Sequence, residues 1–326
     1  MLARPLVTLV TLVRMIAGLA LIGSAPSVPA QDYPTRPIKL VVPGGPGVGP
    51  DIVARIIAPS LSAGLGQPVV VDNRPGGTLA QIAVADAPAD GYTLLLAHTS
   101  VTIAPAIMAR PGYDPVQSFA PVGRVTAAPL VLFAHAGVPA TSMKEFLALA
   151  RAKPGELHFA GATGTLPHLA GFLLMSEAGI RLTYVPYKSA NLAYPDFAAG
   201  RIQVLFNLVG VHEAQVRSGQ LRALAVTGPA RHPVLPEVPT MSEAGLPSME
   251  LGAFFGIVAP RGTPAEIVQR LNAELGRILQ LPEVADALKR QGGEPSPMSP
   301  AAFASFIASE TARWARVVKA SGARAE

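Results

Sequence analysis

Short apolar runs alternate with helical patterns along most of the chain, and this alternation sets the first expectation of the fold. "IKLVV" (38–42) reads as a strand, and a glycine- and proline-rich stretch follows it. Residues 51–66 then carry Ile52, Val53, Ile56, Ile57 and Leu61 at helical spacing. Pro59 sits inside that pattern and is expected to kink or shorten the helix. "PVVV" (68–71) is the next strand and completes a right-handed βαβ unit. "DGYTLLLAH" (90–98) reads as a turn and a third strand, and "PLVLFAH" (129–135) as another. The alternation predicts an α/β fold with parallel strands.

A second series repeats the theme. Ser142 and Glu145 form a capping box for a helix over 143–152, closed by "KPG". "LHFAG" (157–161) is a strand, and Thr165 is placed to cap a helix running to about Glu177, with Gly179 beyond its end. "IQVLFN" (202–207), "LRALAVT" (221–227) and "FFGIVAP" (254–260) are further strands, the last two separated by a proline-rich stretch. Thr263, Pro264 and Glu266 open a long helix with a cap, an N1 proline and a box partner, and Ser299-Pro300 opens the terminal helix. The series predicts two α/β lobes, the second inserted between the early strands and the C-terminal helices.

The first 30 residues differ in kind. Arg4 precedes an uncharged apolar segment, "MIAGLALIG" (15–23), and "SVPA" (27–30) ends in a form suited to signal peptidase. Arg14 interrupts the apolar stretch and leaves it short of the roughly 20 residues that a membrane span requires. An export signal cleaved after Ala30 is expected. Removing Arg4 and Arg14 lowers the formal net charge from +5 to +3, too mild for a nucleic-acid binder and unaccompanied by any basic run. No cysteine is present, so disulfides, thiolate catalysis and cysteine-ligated metals are excluded.

The stretch "VVPGGPGVGPD" (41–51) tests poorly as a phosphate loop, because Gly49 is followed by Pro50-Asp51 where a lysine and a hydroxyl belong. "GPGVG" also lacks the dinucleotide spacing. A strand, a bend and a helix N-terminus remain, an arrangement that suits an anion. Asp51 either caps the helix or faces a ligand. "GATGTLPH" (161–168) repeats the geometry, and two such N-termini facing across a cleft would grip an organic anion. Thr163 and Thr165 supply hydroxyls there, although Thr165 can instead cap, and His168 either touches ligand or is structural. Thr99 and Ser100 in "AHTS" follow a strand at the end where open α/β sheets bind ligands. Lys188 in "PYKSA" lies in a loop, either solvated or in contact with the cleft. Six histidines and several serines invite a catalytic reading, but no G-x-S-x-G elbow, H-E-x-x-H or zinc spacing accompanies them. No enzyme, cofactor or metal is expected.

"YPTRPIKLVVPGGPGVGPDIVAR" (33–55), "LGQPVVVDNRPGG" (65–77), "YDPVQSFAPVGRV" (113–125), "HLAGFLLMSEAG" (168–179), "VPYKSA" (185–190) and above all "LPEVPTMSEAGLP" (235–247) resemble one receptor family. These are the periplasmic substrate-binding proteins of tripartite tricarboxylate transporters, the Bug or TctC-type receptors. The resemblance runs through nearly all the chain beyond residue 30. It implies a two-lobed Venus-flytrap binding protein of type II, with two doubly wound sheets and a hinge. Lobe one would comprise 31–127 and 252–326, and lobe two 128–251. A small carboxylate would be held by amides, hydroxyls and waters and delivered to membrane permease subunits; members are usually monomers. Mapped onto this chain, the ligand would meet Gly45, Gly47, Val48 and Asp51; Gly77 and Thr78; Thr99 and Ser100; Thr163, Gly164, Thr165 and His168; Lys188 and Ser189; and Asn207.

Departures from the family pattern cluster at those positions. Gly44 replaces an aromatic, Val48 a glycine, and Gly49-Pro50 a Ser-Thr pair, while Asp51 is kept. Thr78 stands for an asparagine, Leu166-Pro167 for two polar residues, Ser189 for a glycine, Asn207 for an aspartate and Leu208 for an asparagine. Fewer donors and one lost negative charge imply a less polar or differently shaped ligand. Two rival functions are a ligand sensor feeding a signalling partner and a hydrolase on the same fold. N-terminal sequencing of exported protein should begin at Gln31, and a retained Met1 would contradict export.

Overall fold

β-Branched and leucine-rich segments form the strands, and helices alternate with most of them along the chain. The computed structural model describes residues 33–47, 49–187 and 190–321. The expected export signal, Val48, Lys188 and Ser189 lie outside the described residues. In chain order the elements are β1 (Ile38–Val42), α1 (Gly49–Leu65), β2 (Val69–Asn73), α2 (Leu79–Ala85), β3 (Thr93–His98) and α3 (Ser100–Ile107). There follow β4 (Phe119–His135), α4 (Met143–Ala152), β5 (His158–Ala162), α5 (Leu166–Ala178), β6 (Thr183–Tyr187), α6 (Ala190–Ala198), β7 (Val204–Leu208) and α7 (Val209–Arg217). The chain ends through β8 (Leu221–Val226), β9 (Gly252–Pro260), α8 (Ala265–Ile278), α9 (Pro282–Arg290), β10 (Glu294–Pro295) and α10 (Pro300–Ser321).

The strand order is β2-β1-β3-β9-β4-β7-β5-β6, with β8 and β10 also paired to β4. β4, 17 residues long, belongs to two sheet halves. Its residues up to Pro129 pair with β9, and from Leu130 onward it pairs with β7 and β8. The expectation of parallel strands needs correction. β1, β2 and β3 are mutually parallel, as are β5, β6 and β7, but every pairing of β4 and β9 is antiparallel. Apolar runs encode strands and not their direction. β9 returns from far along the chain to fill the centre of the first half. The predicted strand at 129–135 accordingly begins ten residues earlier, at Phe119, where Pro121 and Gly123 obscured it. Bulges between Pro121 and Gly123 and between Arg124 and Thr126 take up the irregularity.

Helix ends depart from expectation in three places. Pro59 does not interrupt α1, and it lies on the exposed side of the helix. Thr165 starts α5 without a capping bond, and its hydroxyl donates to Ala162 O at 2.7 Å. Thr263 likewise donates to Pro260 O at 2.8 Å, and Pro264 itself occupies the cap position of α8. Other caps form as read. Ser142 accepts from Glu145 N–H, Ser299 accepts from Ala302 N–H, and Gly179 closes α5 at φ 60°. The Glu145 carboxylate reaches Thr141, one residue before the expected partner.

Two helix layers bury the two halves. Phe254, Phe303 and Ile307 pack with β1 and β3 residues on one side of the first half, and Phe146, Phe159 and Leu174 pack against the second. Trp314, Val317 and Val318, expected with lobe one, join the cluster of the second half, so α10 is packed against both. Trp314 is fully buried and its Nε1–H donates to the buried Glu310 at 3.1 Å.

The two halves meet at Thr227. This residue is wholly buried; its hydroxyl accepts from Leu130 N–H at 2.8 Å and donates to Leu251 O at 2.6 Å. Its own N–H and C=O bond Leu130 O and Leu251 N. One side chain thereby ties the end of β8 to the crossing strand β4 and to the residue just before β9. Thr227→Val, similar in shape but unable to bond, should cost about 1–3 kcal/mol for each backbone group left unsatisfied. Urea denaturation at neutral pH measures the loss, and an unchanged midpoint would contradict the role.

Candidate functional site

The carboxyl ends of the parallel strands of each half carry the loops singled out from the sequence. In the first half β1 ends at Val42 and α1 begins at Gly49, so the intervening turn must bend sharply. Gly47 makes that bend at φ 80°, a conformation that suits glycine. Asp51 resolves the choice between cap and ligand contact in a third way. Its buried carboxylate accepts from Gly47 N–H at 2.8 Å and from Arg55 Nε at 2.9 and 3.0 Å. Arg55 in turn donates to Asn73 Oδ1 at 3.3 Å, and Asn73 Nδ2 donates to Gly44 O at 3.2 Å. The Arg55 guanidinium, and next the Gly47 N–H, hold the Asp51 pKa down to about 2. The loop is therefore held from beneath. Its free donors are backbone N–H groups at the helix start, less the one that Pro50 lacks.

Gly45 lies in the same turn, and Gly77 and Thr78 lead into α2 at the end of the β2 loop. Thr78 is buried, and its hydroxyl makes no capping bond. Thr99 is also buried, and its hydroxyl accepts from Phe254 N–H at 3.0 Å, pinning β9 to the start of α3. Ser100 Oγ lies 3.0 Å from His98 Nε2. Burial lowers the His98 pKa to about 4, so the ring is neutral at physiological pH. The Phe255 ring lies 6.2 Å from His98 and flanks Gly49 at the start of α1.

In the second half the turn between β5 and α5 is likewise tied down. Gly164, at φ 80°, donates its N–H to His168 Nδ1 at 3.1 Å. His168 is buried against Tyr184 (4.4 Å between ring centroids) and Phe172, and burial lowers its pKa to about 4. It supports the turn from inside, the structural alternative of the two read from the sequence. Thr163 Oγ1 lies 3.0 Å from the Tyr184 hydroxyl, which donates to Gly161 O. The hydroxyls of Thr99, Thr163 and Thr165 are thus each bonded within the protein.

Thr165 and Asn207 come together on one cavity of about 680 Å³, at the carboxyl ends of β5 and β7. Its walls are largely apolar, and Tyr194, His212 and Gln215 are also among the residues that line it. Asn207 Nδ2 lies 3.2 Å from His212 Nε2. Tyr184, Tyr194, His212 and Phe255 were missed by sequence reasoning; His98 and His212 each sit at a strand-to-helix junction, which was the available signal. Among the described residues, no cluster of three or more His, Cys, Asp or Glu is able to hold a metal.

A two-lobed α/β binding protein is the class that this fold and these loops define, and its solved neighbours are binding proteins and not enzymes. The chain belongs to the tripartite tricarboxylate transporter family of receptors, whose TctC model matches residues 53–323. Protein BugT of Bordetella pertussis is 38% identical over 312 residues, covering 94% of this chain and 95% of its own. Rpa4515 of R. palustris, solved with adipate, has a TM-score of 0.71 at 35% identity, over 90% of this chain and 99% of its own. MatC from Rhodopseudomonas palustris, with bound malate, has a TM-score of 0.69 at 32% identity, over 88% of this chain and 100% of its own.

A pKa lowered in the folded state means that Asp51 stabilises the protein fully above its ordinary value of 3.8. That contribution is lost as pH falls toward about 2. Asp51→Asn should lower stability at pH 7 by about 1 kcal/mol, a figure reduced by solvent around the exposed Arg55. Chemical denaturation as a function of pH should find the difference from wild type shrinking below pH 3.8; a constant difference would refute the assignment.

Proposed function

We propose that this chain is an extracytoplasmic solute receptor. It closes two lobes, 31–127 with 252–326 and 128–251, over a small organic acid and passes it to the membrane permease of a tripartite transporter. The protein works in the periplasm after loss of the segment ending at Ala30, and works as a monomer. The observation that carries this reading is the duplication of one device, a strand, a small-residue turn and a helix N-terminus, once in each half of the sheet. Unpaired N–H groups at such an N-terminus favour a carboxylate without requiring a buried cation to neutralise it. Relatives solved with adipate and malate support an acid as the ligand.

Hinge motion has natural pivots in this reading. β4 changes partners after Pro129, which faces Gly252 at the start of β9, and rotation at that point would leave the pairings of each half in place. The N–H groups of Gly47, Ser100 and Gly164 already bond Asp51, His98 and His168, so the amides left for a carboxylate are the unpaired N–H groups at the starts of α1 and α5. Asp51, Thr99 and His168 brace the loops that present those amides. Pro50 and Pro167 each delete a donor, and Asn207 removes a charge, so the ligand has fewer polar groups than a tricarboxylate.

Isothermal titration with mono-, di- and tricarboxylates, amino acids and aromatic acids should find at least one ligand with a Kd of about micromolar or tighter. Silence across that panel from folded protein would sink the receptor reading.

A further inference from the structure

The cavity of about 680 Å³ at the carboxyl ends of β5 and β7 lacks fixed charge: none of the described residues that line it is an Asp, Glu, Lys or Arg. Its one imidazole, His212, is kept neutral by burial beside Phe133 and Tyr194. The polar residue types in its walls spend their polar ends on one another or on the backbone. Asn207 Oδ1 accepts from Leu208 N–H at 2.9 Å, and its Nδ2 lies 3.2 Å from His212 Nε2. Gln215 Nε2 donates to the Tyr194 hydroxyl at 3.0 Å, while Gln215 Oε1 and His212 Nδ1 are buried away from water. The Thr165 hydroxyl donates to Ala162 O.

These residues therefore meet the cavity mainly through carbon, which is why its walls are largely apolar although five of them are polar types. Val211 adds an apolar side chain that is 52% exposed, and Pro167 adds another that is half-buried, so this surface is open to a ligand and not sealed in the core. Charge is as scarce on the loops of the first half. The described residues of 43–50, 75–79 and 99–100 include no charged side chain. Beside them, Arg55 is paired with Asp51 at 2.9 Å and Arg74 with Asp72 at 3.1 Å. A carboxylate taken from water into such surroundings without a partner costs more than the burial of a few methylenes returns. The start of α5, where Thr165 and Pro167 reach the cavity, offers backbone N–H groups to one carboxylate.

Building on the receptor reading, we propose that this cavity selects a monocarboxylate, an acid whose one charged end lies at the α5 start and whose body is uncharged hydrocarbon seated against Val211, Pro167 and Tyr194. The volume lies in the range of pockets that enclose small organic ligands. Adipate and malate, the acids found in two solved relatives, each carry a second carboxylate. In this chain that second charge would meet a wall with nothing to pair it.

The test is a series of linear monocarboxylates of four to eight carbons with benzoate and 3-phenylpropanoate, each matched to the acid that carries a second carboxylate at the far end. Isothermal titration of wild type should find each monocarboxylate that binds to be about tenfold or more tighter than its match. Along the linear acids, each added methylene should tighten binding about two- to fourfold. Val211→Arg, at an exposed position, places a cation on the wall and should bring the ratio close to one or invert it. Val211→Glu, of similar length and opposite sign, should give the dicarboxylates no such gain, and thermal melts establish that both variants are folded. Equal binding of the matched acids by wild type, preference for the dicarboxylates, or affinity that is flat with chain length would overturn the proposal. So would a ratio that folded Val211→Arg leaves unchanged, an equal gain in both variants, or a wild type that binds other acids of the broader panel but none of this series. Silence toward every acid would instead remove the receptor reading and this inference with it.

Discussion

The hydroxyl of Thr227 sits where the two halves of the sheet share their strands, and the arrangement of the rest follows from that junction. It is a buried polar group joined to two backbone segments distant in sequence, Leu130 in β4 and Leu251 before β9. A buried peptide group has no water to turn to, so these bonds fix the crossing more firmly than apolar packing would. Each half then builds its own core, and α10 seals both, with Phe303 and Ile307 in one cluster and Trp314 in the other.

The two halves solve the problem of presenting amides in the same physical way with different residues. In the first, a carboxylate and a guanidinium brace the glycine turn from beneath; in the second, a neutral imidazole does so. Each brace uses up polar groups that a reading of residue types alone would assign to the ligand. Asp51 and His168 are the plainest cases, since both are buried and both are bonded to a glycine N–H of the turn that they hold.

Much of the architecture was legible because it rests on local patterns. The runs at 38–42, 93–98 and 158–162 form strands, the helix at 143–152 is capped by Ser142, and Gly179 ends its helix in the left-handed conformation. The long β4 was read only from residue 129, because Pro121 and Gly123 look like turn residues and only pairing with β9 makes them strand. Thr165 and Thr263 illustrate the converse. Each carries the expected type at a helix start, yet each hydroxyl turns back to a carbonyl three residues earlier, a choice between two local bonds that composition does not distinguish.

The sequence by itself determined the alternation of strands and helices, the glycine turns, the lack of catalytic spacing and membership in a receptor family. These depend on neighbours in the chain or on the whole ordered pattern of residues. Strand direction at the centre of the sheet, the sharing of α10 between cores, and the division of polar side chains into braces and free groups were decided only by tertiary structure. Each is a competition among partners far apart in the chain. The winner is set by which buried donor meets which acceptor once the halves are packed.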